Sequence, residues 1–219
     1  LSFAQAAALP LTSLTAWELL FERLEVAREA PDVLLVVGAA GGVGSILVQL
    51  ARKRTALTVV GTASRPQTVQ WVKDLGAHHV IDHGLPLATQ LKALFPQGAR
   101  YAVGLTQTDR HFPDLAELMA PEGKLGLIDD PKQPLDVMLL KRKSVSLHWE
   151  LMFTRSLYET KTLEQQGRIL DEVSALVDQG VLRTTLNEDL GPISAANLKR
   201  AHALLETGHA RGKLVLGGF

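Results

Sequence analysis

The sequence contains no cysteine among its 219 residues. Disulfides and thiolate metal ligands are therefore excluded for this chain, and the composition suits a reducing compartment. No uninterrupted apolar run approaches the roughly 20 residues that a membrane-spanning helix requires. We therefore expect a cytoplasmic protein that does not enter the membrane.

Net charge is also absent, because 23 basic residues balance 23 acidic ones. No overall field attracts nucleic acid or an anionic membrane surface, although a local basic pocket is still compatible with this balance. Hydrophobic residues make up 46% of the chain, which is enough for a substantial core. These features favour a soluble globular protein and disfavour nonspecific binding to polyanions.

Six short apolar runs alternate with helical patterns between residues 33 and 150. This alternation predicts parallel strands joined by right-handed crossovers, with helices on both faces of the sheet. The expected fold class is α/β, with a doubly wound parallel six-stranded Rossmann sheet. The predicted strands are "VLLVVG", "LTVVGT", "HHVIDH", "YAVGLT", "KLGLID" and "SVSLHWEL", and the helical patterns lie near 43–53, 66–75, 86–95, 109–119 and 135–142.

The flanking segments do not extend this alternation. Residues 12–29 read as a capped amphipathic helix with Pro31 just beyond it, and residues 160–179 read as a long helix ending at Gly180. A short strand at 184–190, a helix from 194 to 206 and a last strand "KLVL" follow.

A glycine-rich turn, "GAAGGVG", follows the first strand and opens a helix. Ala39, Gly41 and Gly44 occupy the positions of a dinucleotide fingerprint, with alanine in the first place. Gly41 would let the backbone approach a pyrophosphate, Gly44 would let the helix pack on the sheet, and the helix N-terminus would supply amide donors. A P-loop would need lysine before Ser45, where Gly44 stands. The alternative is that these glycines only permit a tight turn and close packing; the position of the turn directly after the first strand favours the dinucleotide site.

The end of the second strand reads "TASR", residues 62–65, where an NAD-type site usually has an acid. Arg65 offers a fixed cation with bidentate geometry for a 2′-phosphate. The sequence therefore favours NADP(H) over NAD(H), the alternative being a solvated arginine before a helix.

Several separated motifs occur in one order: "AAALPLTSLTAWELL", "GAAGGVGSILVQLA", "LGAHHVIDH", "LKRKSVSLHWELMFTR" and "RAHALLETGHARGKLVL". Together they resemble the medium-chain dehydrogenase/reductase superfamily, in particular its quinone-oxidoreductase-like branch of zinc-type alcohol dehydrogenase-like proteins. The resemblance implies a cofactor-binding and C-terminal part only, a fragment without the N-terminal catalytic domain. It divides the chain into an interdomain helix segment (1–30), an NADP-binding Rossmann domain (31–154) and a part completing the substrate domain (155–219).

The resemblance also implies an activity, hydride transfer from NADPH to a quinone, enone or other carbonyl compound. It places the pyrophosphate along the glycine turn, the 2′-phosphate after the second strand, an adenosine contact after the third, and the ribose and nicotinamide beyond the fourth and fifth. It assigns no catalytic residue. The implied cofactor-binding residues are Thr15, Ala40, Gly41, Gly42, Val43, Gly44, Ser64, Arg65, His83, Leu105, Thr106, Ile128 and Asp129.

Zinc is not expected in this chain. Zinc-using members of the superfamily hold the metal with thiolates, histidine and carboxylate, and this chain has no thiolate. The adjacent His78 and His79 point to opposite faces of a strand, so we expect one packed and one exposed imidazole rather than a shared ion.

The sixth strand also predicts a partner. Val145, Leu147, Trp149 and Leu151 alternate as in an edge strand with one buried face. Such a strand could pair with its twin, so we expect a homodimer through 145–151, as the resemblance also suggests.

Three other functions compete with the reductase. A short-chain reductase needs tyrosine and lysine four residues apart, whereas Lys161 follows Tyr158 by three. A methyltransferase usually has an acid where "TASR" stands. A non-catalytic NADPH-binding module, such as a redox sensor or an interaction protein, fits the same turn and Arg65 and stays open.

Overall fold

The computed structural model describes residues 1–218. Its main sheet has six strands, all parallel, in the order β3-β2-β1-β4-β5-β6. This is the doubly wound Rossmann arrangement that the alternating pattern predicts. The strands are β1 (Val33–Val37), β2 (Thr58–Thr62), β3 (His79–Ile81), β4 (Ala99–Gly104), β5 (Met119–Leu127) and β6 (Ser146–Trp149).

Helices cover the sheet and form the flanks. The α-helices are α1 (Phe3–Ala7), α2 (Pro10–Trp17), α3 (Gly42–Arg54), α4 (Pro66–Asp74), α5 (Leu87–Leu94), α6 (Thr108–Leu118), α7 (Thr154–Leu157), α8 (Gln165–Asp178) and α9 (Ala195–Glu206). A π-helix (Glu18–Arg23) continues α2, and a 3₁₀ helix (Val137–Lys143) precedes β6. Within residues 1–218, no helix combines the length and the apolar character that crossing a bilayer requires.

Local sequence explains where these helices begin and end. Pro66 opens α4, where its missing amide hydrogen costs no hydrogen bond, and Gly76 (φ 108°) takes the left-handed conformation just beyond it. Ser194 accepts a hydrogen bond from the Asn197 amide (3.2 Å) and caps α9.

The sheet separates two hydrophobic cores. On one face α2, α3 and α8 pack together through side chains such as Leu14, Leu47 and Val173. On the other face α5 and α6 pack through Leu91 and Phe112. The central strands are buried on both sides, which explains why β1 is a continuous apolar run rather than an alternating one.

A second, two-stranded parallel sheet joins β7 (Leu186–Asp189) to β8 (Lys213–Val215). The amide of Gly212 donates to the carbonyl oxygen of Ala40 at 2.8 Å. This hydrogen bond attaches the end of the chain to the glycine turn, about 170 residues earlier in the sequence.

Two helix predictions are wrong in their bounds. The helix expected over 12–29 begins at Pro10 and ends at Arg23, because α2 widens into the π-helix, which the Leu24 amide closes by donating to the Leu19 carbonyl (2.9 Å). Glu25 then takes a left-handed conformation (φ 46°), so Pro31 lies well outside the helix. The helix expected over 160–179 begins at Gln165, after a series of turns.

The prediction of one buried face on β6 is also wrong. Val145 and Leu147 are partly buried, but Trp149 is 50% exposed and Leu151 is 53% exposed. β6 ends at Trp149, so Leu151 lies beyond the strand and the alternation no longer governs it. β6 is nevertheless an edge strand, as expected. Trp149 at its end and Leu151 just beyond it are both large exposed apolar side chains.

Candidate functional site

The carboxyl ends of the central strands meet at the glycine turn. Gly38 adopts φ 84°, a conformation that favours glycine, and its amide donates to Thr62 Oγ1 at the end of β2 (3.2 Å). The amide of Leu105, just after β4, donates to the carbonyl of Val37 in β1 (3.2 Å). Strand order reverses between β1 and β4, and open α/β sheets bind ligands in the crevice at such a point.

The turn has the shape that a phosphate-binding turn requires. A β-carbon on Gly44 would lie 2.3 Å from the Gly38 carbonyl oxygen, so only glycine fits where α3 packs on the turn. A β-carbon on Gly41 would lie 3.4 Å from the same oxygen, an ordinary contact, so the protein itself does not require glycine there. Gly41 is the N-cap of α3 and provides no side-chain cap, which leaves the first-turn amides available to a ligand.

Lys213 is a site residue that sequence reasoning missed. Its Cε and Nζ would lie 2.9 and 3.2 Å from a β-carbon on Gly42, at the N-terminal turn of α3. The side chain is partly buried, and burial lowers its pKa. Its ammonium makes no ion pair with any carboxylate of residues 1–218.

An ammonium at a helix N-terminus adds positive charge to the positive end of the helix dipole. Lys213 has no carboxylate partner there in the described chain, and a pyrophosphate would satisfy both the lysine and the helix. The residues at the turn therefore fit a dinucleotide. "GKLVL" reads only as a strand in the sequence, and nothing in it shows that the lysine reaches a turn so far back in the chain.

The ends of β2 and β3 bring together two more of the predicted residues. Ser64 Oγ lies 3.1 Å from His83 Nε2. Burial is the main cause that lowers the pKa of His83, with Arg110 and Arg65 adding to the effect and Asp82 opposing it. A neutral His83 at pH 7 can therefore share a hydrogen bond with Ser64.

Arg65 donates from Nη2 to the His209 carbonyl oxygen (2.7 Å), so its guanidinium is held beside the C-terminal segment.

Leu105 and Thr106 lie against the glycine turn. A β-carbon on Gly38 would lie 3.1 Å from Thr106 Cγ2 and 3.4 Å from Leu105 Cβ. Ile128, just after β5, donates from its amide to the Gly104 carbonyl (3.3 Å), so it continues the same edge of the sheet. The three residues form the wall along which the nicotinamide half was predicted to lie.

The side chain of Asp129 has a structural role. Its carboxylate accepts hydrogen bonds from the amide of Thr108 (3.0 Å) and from Thr108 Oγ1, and so caps the start of α6. This explains an acid where the resemblance implies a small residue, and it leaves the backbone of Asp129 for the predicted cofactor contact. Thr15 is buried on α2, where its Oγ1 donates to the Leu11 carbonyl (3.1 Å), and α2 packs against α3.

Within residues 1–218, no group of three or more histidine, aspartate or glutamate side chains is arranged to hold a metal ion. His78 and His79 are both exposed, which corrects the expectation that one is packed in the interior. His78 Nδ1 accepts from the Val59 amide (2.9 Å), and His79 packs edge-on against Phe95 with the ring centres 5.5 Å apart.

A family model, a curated protein and a solved structure that match this chain all bear the description of a zinc-binding, zinc-type or zinc-dependent dehydrogenase. Residues 75–216 match the family model described as zinc-binding dehydrogenase. A zinc-type alcohol dehydrogenase-like protein of Staphylococcus epidermidis is 35% identical over 216 residues, covering 97% of this chain and 64% of that protein. The crystal structure of a candidate zinc-dependent alcohol dehydrogenase from Rhizobium etli CFN 42 is 57% identical, with a TM-score of 0.95 over 100% of this chain and 65% of that one.

A mycobacterial protein, Rv1454c, has a structure complexed with NADPH. It is 28% identical to this chain, with a TM-score of 0.84 over 99% of this chain and 65% of that one. Across these relatives the chain spans about 65% of their length. The matched part includes the sheet, the glycine turn and the C-terminal segment described above.

Proposed function

The chain belongs to the zinc-binding dehydrogenase family of the medium-chain dehydrogenase/reductase superfamily, a family of oxidoreductases, and on this premise we propose that its cofactor is NADPH. The whole protein would transfer hydride from NADPH to a quinone, an enone or another carbonyl compound. In this proposal residues 31–154 form the Rossmann domain that binds most of the cofactor, and Lys213 adds a contact from the C-terminal segment. The rest of the segments 1–30 and 155–219 belongs to the substrate domain.

The glycine turn carries the proposal. It leaves the first amides of α3 uncapped, has space at Gly41, and has Lys213 beside Gly42 without a carboxylate partner in the described chain. Ser64 and Arg65 lie at the end of the neighbouring strand, where an NADP site needs groups that bind a 2′-phosphate. The NADPH complex of Rv1454c supports the choice of nucleotide.

Each group of residues has one task in this proposal. The α3 amides and Lys213 bind the pyrophosphate, and Ser64 and Arg65 bind the 2′-phosphate. Leu105, Thr106 and Ile128 orient the nicotinamide against the sheet edge and exclude water from one of its faces. When bound, NADPH supplies the hydride.

Gly41→Ala tests this proposal. The protein has room for the added methyl group, so the free energy of unfolding should change by less than about 1 kcal/mol. The methyl group would occupy the space of the pyrophosphate, so NADPH affinity should fall about tenfold or more. Titration calorimetry with NADPH and urea unfolding, both on the whole protein, measure the two quantities.

Gly167→Ala is the matched control, because no atom lies within 4 Å of a β-carbon at this position on α8. It should leave NADPH affinity unchanged. If Gly41→Ala binds NADPH as tightly as the wild type, the turn is not the phosphate site. If the whole protein binds NADPH but oxidises it with no quinone, enone or aldehyde, the non-catalytic NADPH module replaces the reductase.

A further inference from the structure

A cavity of about 330 Å³ lies between the start of α4 and the C-terminal segment. Arg65, Gln67 and Thr68 form one wall, and residues 187–188, 204, 207, 209–211 and 214 contribute the other. Arg65 and Arg211 both line it, from parts of the chain that are 146 positions apart (211 minus 65). The cavity therefore joins the strand end proposed to bind the 2′-phosphate to a segment that the sequence does not connect with it.

Both arginines in this cavity use neutral acceptors. Arg65 donates to the His209 carbonyl oxygen (2.7 Å), and Arg211 donates from Nε to Asn187 Oδ1 (2.6 Å). Neither forms an ion pair with a carboxylate of residues 1–218. The acid in the lining, Glu188, pairs with Arg200 at 3.2 Å. The cavity thus holds two guanidinium charges that no neighbouring acid of the described chain neutralises.

Arg211 is fixed in position before any ligand binds. Its guanidinium carbon lies 5.3 Å from the centre of the Trp71 ring, and Trp71 is itself held by a hydrogen bond from Nε1 to Ser45 Oγ (2.9 Å). The next residue, Gly212, donates to the Ala40 carbonyl. Because Nε already serves Asn187, the two terminal nitrogens of Arg211 are the donors left to bind an anion.

We propose that Arg211 binds the 2′-phosphate of NADPH together with Arg65, and so determines the preference for NADPH over NADH. This inference rests on the proposed function and adds a residue to it. A phosphate monoester is close to a dianion at neutral pH and has three acceptor oxygens, which two guanidinium groups complement in charge and number. Specificity then depends on two distant segments, one after β2 and one before β8.

Arg211→Ala and Arg183→Ala form a matched pair for the test. Both guanidinium groups lie over Trp71, at 5.3 and 5.8 Å, but only Arg211 lines the cavity. Calorimetric titrations of the whole protein at fixed ionic strength would use NADPH, NADH, adenosine 2′,5′-bisphosphate, 5′-AMP and inorganic phosphate. The last three ligands separate recognition of a 2′-phosphate from recognition of adenosine or of any phosphate.

Arg211→Ala should lower the affinity for NADPH and for the bisphosphate about tenfold to hundredfold. It should change the affinity for NADH and for 5′-AMP less than about twofold. Arg183→Ala should leave all four affinities near those of the wild type. Arg211→Lys keeps the positive charge but lacks the planar guanidinium that can donate two parallel hydrogen bonds. Its affinity for NADPH and the bisphosphate should lie between those of the wild type and Arg211→Ala. Thermal unfolding without ligand would verify that each variant folds.

The possible failures are distinguishable. Equal losses for NADPH and NADH in Arg211→Ala, or equal losses in both alanine variants, would assign Arg211 to packing on Trp71 and overturn the inference, while the proposed function would stand. Inorganic phosphate that binds as tightly as the bisphosphate would mean a general anion site and would also overturn it. Absence of binding of either dinucleotide to the wild type would overturn the proposed function itself.

Discussion

At the residue scale, two cations of the candidate site, Lys213 and Arg65, are positioned by contacts between segments that are remote in sequence. Lys213 lies beside Gly42, and the carbonyl of His209 holds Arg65. Lys213 should bind a group that NADPH and NADH share, because it lies at the helix N-terminus where a pyrophosphate binds. Arg65 should bind only what NADPH adds. The two cations therefore predict different patterns of ligand dependence.

Lys213→Met should lower the affinity for NADPH and the affinity for NADH by the same factor, about fivefold to thirtyfold. The reason is that one charge-assisted contact to the pyrophosphate, which both nucleotides contain, is lost. The free energy of unfolding should stay constant or rise, since burial lowers the pKa of this ammonium and no ion pair stabilises it in the described chain. Calorimetry with both nucleotides and urea unfolding measure these effects.

Lys199→Met is the control for Lys213→Met, because Lys199 is exposed on α9 and the charge change is the same. It should alter neither affinity. A loss confined to NADPH in Lys213→Met would contradict the assignment to the pyrophosphate and would move Lys213 to the 2′-phosphate.

At the element scale, β6 leaves one side of the main sheet open. Its outer backbone groups have no strand partner within residues 1–218, and Trp149, Leu151 and Phe153 are 50%, 53% and 47% exposed. An unprotected edge with exposed apolar side chains is suited to pairing with another strand. The homodimer through 145–151 therefore stays a prediction, with the exposed side chains as its support.

Trp149→Arg should convert the dimer to a monomer, because it introduces a charge where two edges would meet. Sedimentation velocity over a range of protein concentrations measures the change in mass. Leu94→Arg, at a residue that is 45% exposed on α5, adds the same charge at another surface and should leave the dimer intact. A wild-type protein that is monomeric at all concentrations would contradict the prediction.

The sequence predicts regular elements better than it predicts edges and special turns. All six strands of the main sheet are confirmed, because continuous apolar runs such as β1 occur where both faces are buried. The predicted end of the helix over 12–29 is wrong, because hydrophobic spacing does not show a π-helix or the left-handed conformation of Glu25 that follows it. Exposure of Trp149 could not be predicted, because alternation gives the face of a residue and not what covers it.

The candidate site divides in the same way. The turn at residues 38–44 is local, so the sequence could predict it; the structure has room for a β-carbon at Gly41 and none at Gly44. Lys213 and Arg211 reach the turn and the end of β2 only through β8 and Gly212. Those contacts depend on how the C-terminal segment folds back, which no local pattern contains.

At the scale of the whole molecule, a buried ionic cluster joins the flanking helices to the sheet. Glu150, just after β6, lies 2.8 Å from Arg23 Nε on the π-helix, and Glu18 lies 3.3 Å from Arg155 Nη1 on α7. Arg155 also pairs with Glu22. Burial and the nearby carboxyl of Glu18 raise the pKa of Glu150 to about 8. Folding therefore favours the neutral form of Glu150.

This cluster should make the stability of the protein depend on pH. The pKa of Glu150 rises from 4.5 to about 8 on folding, so between these values the folded state binds one more proton than the unfolded state. The free energy of unfolding should therefore fall as pH rises through this window, by at most about 1.4 kcal/mol per pH unit, and level off above it. Urea unfolding from pH 5 to pH 9 measures this slope.

Glu150→Gln keeps the size of the side chain and removes its titration, so it should flatten the slope and exceed the wild type in stability at pH 9. Glu117→Gln is the control, since Glu117 is exposed and a hydrogen bond from Lys92 lowers the pKa of its carboxyl. It should keep the downward slope. An identical slope in the wild type and Glu150→Gln would contradict the assignment.

The hydrogen bond from Gly212 to Ala40 has a consequence for inheritance and for engineering. A gene fragment that encodes the Rossmann sheet alone omits Lys213 and Arg211, so under the proposed roles of these residues it would not transfer nucleotide binding intact. A chimera that exchanges residues 31–154 between two relatives would combine the glycine turn of one parent with the residues at positions 211 and 213 of the other. Recombination that is to keep the proposed nucleotide preference must therefore transfer the glycine turn and the C-terminal segment together, although about 170 residues lie between them.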